Sequence, residues 1–343
     1  MTQTVNQAPP LLSVDGLTVR FRTREGTVAA VSDVGFDLAE GQVLGILGES
    51  GSGKSVTLRA LIGLLPEGRT DISGRVDFEG KDLVRLSRSE MEKVRGARAA
   101  MIFQEPMIAL DPVFTIGDQI AETVMRHQGT SRAGGMKRAK ELLELVQIPS
   151  AARRLQAYPH EMSGGMRQRA MIALALCCSP KLLLADEPTT ALDVTVQIQI
   201  ILLLRELQRE MGMAVIFVTH DVGVAAEISD RIAVMYGGRF IETGPVVDVI
   251  ERPRHPYTEG LLSSTVHGSM RGRRLDAIPG MPPDLRALPD ACAFAPRCRY
   301  AEPRCSAGVP PLATVEPHHS TRCIRVAEEG LRLDPPVALT ADA

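Results

Sequence analysis

Gly48-Glu-Ser-Gly-Ser-Gly-Lys54-Ser55, entered from Gln42-Val-Leu-Gly-Ile-Leu47 and left through Val56-Thr-Leu-Arg-Ala-Leu-Ile62, is the stretch that decides the fold. The apolar residues before it predict a buried strand, and the run after it predicts a helix. Between them the glycines let the backbone curl tightly, so that consecutive N–H groups point at a single anion. The pattern G-x-x-x-x-G-K-[ST] is that of a phosphate-binding loop. In such a loop Gly48, Glu49, Ser50, Gly51, Ser52 and Gly53 form the cradle. Lys54 reaches the terminal phosphates of a nucleotide, the Ser55 hydroxyl binds Mg²⁺, and Val56 continues into the helix. The alternative, a Gly-rich turn of no function, leaves the strand–loop–helix setting unexplained.

The 343 residues allow one large domain with an appendage, or two domains. A formal net charge of −2 gives no overall basic field for nucleic acid. Hydrophobic residues at 44% with aromatics at 3% and no Trp predict a core of aliphatic side chains. The first ten residues, Met1 to Pro10, lack the basic and apolar regions of a secretory signal. The nearest candidate for a membrane span, Met171 to Ala185, is interrupted by Ser179-Pro180-Lys181 and reads as a helix end followed by a strand. The expectation is a cytosolic protein, or one attached to a membrane only through partners. In such a reducing compartment the six cysteines are not expected to form structural disulfides.

Strand-like runs occupy Leu12–Phe21, Val28–Leu38, Gln42–Leu47, Arg75–Phe78 and Ala99–Phe103. From Glu105 to about Leu176 the pattern is helical, and strands return at Lys181–Ala185 and Ala214–Thr219. Arg231–Tyr236 and Arg239–Glu242 flank Gly237-Gly238 as a hairpin. Beyond His255 the composition shifts to Pro, Arg and Cys, which reads as a small irregular appendage and not as a continuation of the core. The predicted class is α/β, with a helical insertion inside a nucleotide-binding core.

Two further stretches bear on the phosphate loop. Leu182-Leu-Leu-Ala-Asp186-Glu187 is an apolar strand that delivers two carboxylates to its carboxyl end, where α/β sheets bind ligands. Asp186 there helps hold Mg²⁺, and Glu187 polarises the attacking water as general base. Ser163-Gly164-Gly165 precedes the helix Ala170–Cys178 and is a second anion-binding device, built of backbone N–H groups at a helix start. A plain helix cap explains that tripeptide taken alone, but not its company.

In order, Gly48–Ser55, Gln104, Met162-Ser-Gly-Gly-Met166, Leu182–Glu187, Ala191-Leu-Asp193 and His220 resemble the motif set of an ATP-binding cassette (ABC) ATPase. Phe103-Gln-Glu-Pro-Met107, Tyr158-Pro-His-Glu-Met-Ser-Gly-Gly-Met-Arg-Gln-Arg169 and His255-Pro-Tyr-Thr-Glu-Gly-Leu-Leu262 narrow the resemblance to the oligopeptide/dipeptide importer subfamily. Met162 and Met166 depart from the usual Leu and Gln of L-S-G-G-Q, and Thr190 stands where Ser is commoner.

The resemblance implies an ABC ATPase core over residues 11–255, its helical subdomain at about 105–176, and an importer-type extension over 256–343. It implies ATP and Mg²⁺ as ligands. Two such subunits pack head to tail, so that Ser163, Gly164 and Gly165 serve the nucleotide held mainly by the partner and Asp193 couples the two sites. Gln104 binds Mg²⁺ or water, His220 contacts the γ-phosphate, and Phe21 stacks on adenine. The implied function is the ATP-hydrolysing subunit of a peptide importer, peripheral to the cytoplasmic face of the membrane. Its partners are a second ATPase subunit, with a heterodimer favoured, two transmembrane permeases and an extracytoplasmic binding protein. The alternatives are a soluble ABC ATPase of translation or DNA repair, and an importer of another solute such as nickel.

Cys292, Cys298, Cys305 and Cys323 follow the spacing C-x5-C-x6-C-x17-C on a Pro-rich segment. Four thiolates suit a [4Fe-4S] cluster or zinc, and free thiols are the third possibility. The resemblance favours the cluster, and His318 and His319 are candidate substitute ligands. Its place in the chain, well beyond His220, predicts a structural role that leaves ATP binding untouched.

Overall fold

The computed structural model describes residues 9–190, 192–264 and 278–333. Of the sequence motifs, Ala191 lies outside these residues, as do 265–277 and 334–343 of the extension.

The chain opens with a long hairpin, β1 (Leu12–Thr23) and β2 (Gly26–Leu38), followed by the buried strand β3 (Val43–Leu47) and helix α1 (Lys54–Leu61). Next come β4 (Thr70–Phe78), the two-residue β5 (Lys81–Asp82), α2 (Arg88–Val94) and β6 (Ala99–Ile102). Helices then take over: α3 (Pro106–Ala109), α4 (Ile116–Gln128), α5 (Arg132–Leu145), α6 (Ala151–Arg154) and α7 (Gly164–Leu176). Strand β7 (Leu182–Asp186), helix α8 (Val194–Met211), β8 (Ala214–Thr219), α9 (Val222–Ile228), β9 (Arg231–Tyr236) and β10 (Arg239–Pro245) complete the central part. The C-terminal region adds α10 (Val246–Glu251), α11 (Pro256–Ser263), β11 (Ala313–Glu316), β12 (His319–Thr321) and α12 (Ile324–Glu329).

Two sheets result. One is antiparallel, in the order β2-β1-β4-β5, and the other has eight strands in the order β11-β12-β10-β9-β3-β8-β7-β6. From β9 to β6 the larger sheet is parallel. Its strands are buried on both faces, which is why they read as unbroken apolar runs. Alternate residues point to opposite layers. Leu183, Ala185, Val215 and Phe217 face the core shared with α4, α5, α7 and α8. Leu182, Leu184, Ile216 and Val218 face the core shared with α1 and the antiparallel sheet.

The C-terminal region, expected as a small irregular appendage, is built onto the core. Strand β12 pairs with β10 through Glu242↔Thr321 and Thr243↔Ser320, so the hairpin β11–β12 extends the central sheet. Tyr257, Leu262 and Phe294 share one apolar cluster with Leu47, Val234 and Tyr236 of the central strands. No helix among the described residues is long and apolar enough to cross a membrane.

Candidate functional site

Register places the site. Leu47 at the end of β3 lies beside Thr219 of β8, Val218 beside Asp186 of β7, and Ala185 beside Ile102 of β6. Four neighbouring parallel strands therefore end at one level. Gly48, His220, Glu187 and Gln104, just past those ends, emerge together and line one cavity of about 960 Å³. Phe21, Glu49, Ser50, Gly51, Gly53, Lys54, Ser55 and Val56 line it as well. Ligands of α/β sheets bind at this edge.

The phosphate loop needs its glycines. Gly53 has φ 108°, in the left-handed region, and a Cβ there would sit 2.5 Å from the Ala30 carbonyl oxygen. Gly53 also caps α1. Ser52 is buried behind the loop, away from the cavity surface, and its hydroxyl finds no partner among the described residues.

Lys54 is buried, and its Nζ donates to the carbonyls of Gly48 at 2.7 Å and Glu49 at 2.9 Å. It stands 3.8 Å from Glu187 Oε1. Burial lowers its pKa, against the opposing charges of Glu187, Asp186 and Glu49. Ser55 Oγ donates to Asp186 Oδ1 at 2.6 Å. Burial raises the Asp186 carboxyl, against the Ser55 hydrogen bond and the Arg59 guanidinium 3.8 Å away. Its Oδ2 is buried with no hydrogen-bond partner among the described residues. A hydroxyl, a carboxylate oxygen and an orphaned lone pair at the foot of a phosphate loop fit Mg²⁺.

Glu187 has φ 45°, an uncommon backbone for a non-glycine residue and one found at sites where geometry is imposed. Its Oε2 accepts from Thr190 Oγ1 at 3.0 Å and meets His220 Nδ1 at 3.1 Å. Thr190, visible in the sequence only as a departure from the commoner Ser, therefore holds a candidate catalytic side chain. Arg59 beside Asp186 is a second residue that motif reading misses. Its position on α1, one turn after Ser55, is the signal that could have found it.

Ser163, Gly164, Gly165 and Asp193 do not line this cavity. Ser163 caps α7 by accepting from the Met166 N–H at 3.3 Å, and Asp193 caps α8 by accepting from the Val196 N–H at 3.0 Å. The two helix starts touch: a Cβ on Gly165 would lie 3.0 Å from Val196 Cγ1. They form a second group of exposed helix N-termini, separate from the phosphate loop.

In the C-terminal wall of the cavity only Leu261 belongs to a stretch singled out in the sequence, His255–Leu262. Leu261, Ser264, Ile278 and Leu285 line the nucleotide-sized space together with the phosphate loop.

Cys292, Cys298, Cys305 and Cys323 line one small cavity of about 20 Å³. Burial pushes the Cys298 thiol up to about 11 and raises Cys292 and Cys323. Among the described residues, however, no group of three or more His, Cys, Asp or Glu side chains is gathered closely enough to hold a metal ion. These side-chain positions therefore do not form the four-thiolate cage that the resemblance favours. His318 and His319 do not line the cavity. His319 is buried, with its Nε2 2.7 Å from Glu242 Oε1.

Residues 31–190 match the family described as ABC transporter, and residues 241–305 match the oligopeptide/dipeptide transporter C-terminal region. A putative peptide import ATP-binding protein of Brucella melitensis is 51% identical over 332 residues, covering 93% of this chain and 98% of the relative. The oligopeptide transport ATP-binding protein OppD of Salmonella typhimurium is 47% identical, covering 96% and 99%. Among solved structures, the dimeric cassette MJ0796 bound to ADP and Pi has a TM-score of 0.62 at 29% identity, covering 68% of this chain and 98% of that one. With its phosphate loop, carboxylates and histidine at one sheet edge, the chain belongs to the ABC transporter family, as an ATP-hydrolysing subunit of the oligopeptide/dipeptide type.

Proposed function

We propose that this chain powers the uptake of peptides by hydrolysing ATP beneath a pair of membrane permeases. The observation that carries the reading is the common level at which β3, β8, β7 and β6 end, which brings Lys54, His220, Glu187 and Gln104 around one cavity. The peptide-transport names of the relatives support the class of cargo. They give no support to a soluble ATPase of translation or repair, or to a nickel importer.

In this reading the loop N–H groups and Lys54 hold the polyphosphate, and Phe21 offers its ring to the base. Ser55, Asp186 and Gln104 would hold Mg²⁺, which would supply positive charge against that developing on the phosphates. Glu187 takes the proton of the attacking water, and His220 contacts the γ-phosphate. Ser163, Gly164, Gly165 and Asp193, which do not line this cavity, serve the nucleotide of a second ATPase subunit packed head to tail. The assembly is peripheral to the cytoplasmic face of the membrane, with two permeases and an extracytoplasmic binding protein, and its two ATPase subunits differ. Residues 11–255 form the nucleotide-binding unit, with its helical part at about 105–176, and 256–343 form the extension. Cys292, Cys298, Cys305 and Cys323 line one cavity and would hold a [4Fe-4S] cluster once their side chains draw together from the positions described above; its sulfur ligation would then cross-link the loops that carry them.

Glu187→Gln tests the chemistry. Steady-state hydrolysis by the assembled complex is expected to fall about 10²–10⁴-fold, while binding of a fluorescent ATP analogue persists. Near-normal turnover would remove Glu187 from the role of base.

A further inference from the structure

Glu49 places a carboxylate in a loop built to hold polyphosphate, and it lines the cavity. An unneutralised carboxylate there repels the ligand. Here it is neutralised from the far end of the chain. Arg297 donates from Nη1 to Glu49 Oε2 at 2.8 Å and from Nη2 to Oε1 at 3.1 Å. This is a two-pronged pair, the geometry that best fixes a carboxylate in place.

Arg297 is itself held. It is buried, with 6% of its side chain exposed. Its Nε donates to the Pro279 carbonyl at 2.8 Å, and its guanidinium lies 5.8 Å from the ring centre of Tyr236 and 6.0 Å from that of Phe294. The same region grips the Glu49 main chain, because the Glu49 N–H donates to Tyr257 Oη at 2.9 Å. Tyr257 is fully buried and packs on Tyr236, with ring centres 4.5 Å apart.

We propose that Arg297 is a positioning residue of the nucleotide site. It cancels the Glu49 charge and, with Tyr257, sets the first turn of the phosphate loop, so the C-terminal region is part of the ATP-binding apparatus. The inference rests on the reading of this cavity as the nucleotide site.

The test titrates the full chain with mant-ATP and Mg²⁺ at low ionic strength. Arg297→Gln leaves a bare carboxylate, and the Kd is expected to rise about tenfold. Adding Glu49→Gln to it removes that carboxylate and is expected to restore the Kd to within about threefold of wild type. A residue that only packs gives no such rescue. Wild-type affinity in Arg297→Gln, or a loss that Glu49→Gln does not repair, overturns the proposal. Should Arg297→Gln be too unstable to titrate, Arg297→Lys decides, because it keeps the charge and loses the fork. Its Kd is expected to rise about threefold, and no rise counts against the proposal. Lys54→Ala run in parallel separates the two failures. If wild type and Lys54→Ala bind alike, the nucleotide site itself is misplaced. If only Lys54→Ala loses affinity, the site stands and the clamp does not.

Discussion

Glu187 illustrates how much of a site depends on the neighbours that hold its side chain in place. Its carboxylate is aimed by Thr190 at 3.0 Å and by His220 at 3.1 Å, on a backbone at φ 45°. Glu187 and His220 are legible as motif residues because their types and order are informative. Thr190 is not, because a hydroxyl three residues downstream becomes a partner only when the turn after β7 folds back. Thr190→Ala deletes one hydrogen bond to a charged acceptor, worth about 1.5–3 kcal/mol. Turnover by the assembled complex is expected to fall about ten- to hundredfold with little change in the ATP Kd, and Thr190→Ser should retain most of it. Equal losses in both variants would show that the methyl group, and not the hydroxyl, matters here.

The strands of the parallel sheet were legible because burial on both faces removes any need for polar residues, leaving Leu182–Ala185 and Ala214–Thr219 as unbroken apolar runs. The short hairpin β11–β12 was not. Its strands are four and three residues long, and the run His319-Ser-Thr321 has neither periodicity nor apolar content. Only pairing to β10 makes it a strand. Helix α8, eighteen residues long, also escapes the sequence reading, although Asp193 marks its start as a helix cap. Within β3, Gly45 has a packing reason that sequence alone does not reveal. A Cβ there would sit 2.3 Å from Ser229 Oγ and 3.1 Å from Ser229 Cβ, where α9 ends against the sheet. Gly45→Ala is expected to lower stability by about 1–3 kcal/mol, read from denaturant unfolding. Adding Ser229→Gly should return part of that loss, since it removes both clashing atoms. Additive losses in the double variant would place the strain elsewhere.

At the scale of the whole molecule, distance along the chain is the wrong guide. The cysteines lie far beyond the last nucleotide motif, which suggests a region without influence on ATP. Folding brings Arg297 to Glu49 across 248 residues, and no local pattern could announce that. Arg297 directly precedes Cys298, and the turn that presents it hangs on the cysteines. The Ala295 N–H donates to the Cys292 carbonyl, the Cys298 N–H to the Ala295 carbonyl, and the Cys292 N–H to the Cys305 carbonyl. The main chain of Cys292, Cys298 and Cys305 therefore frames the turn that carries Arg297. We predict, against the expectation that cysteine replacement spares nucleotide binding, that it weakens it. On the proposed cluster, Cys298→Ser would cut the iron content of protein purified without oxygen, and it is expected to raise the mant-ATP Kd about three- to tenfold. Far-ultraviolet circular dichroism should stay close to that of wild type, because the parallel sheet and its helices keep their own cores. Combined with Arg297→Gln it should add little further loss, since both changes act on the same contact. Unchanged affinity alongside lost iron would show that the C-terminal region grips the loop without help from its sulfurs. Colourless, iron-free wild-type protein would remove the cluster while leaving the contact between Arg297 and Glu49 to be judged on its own titration.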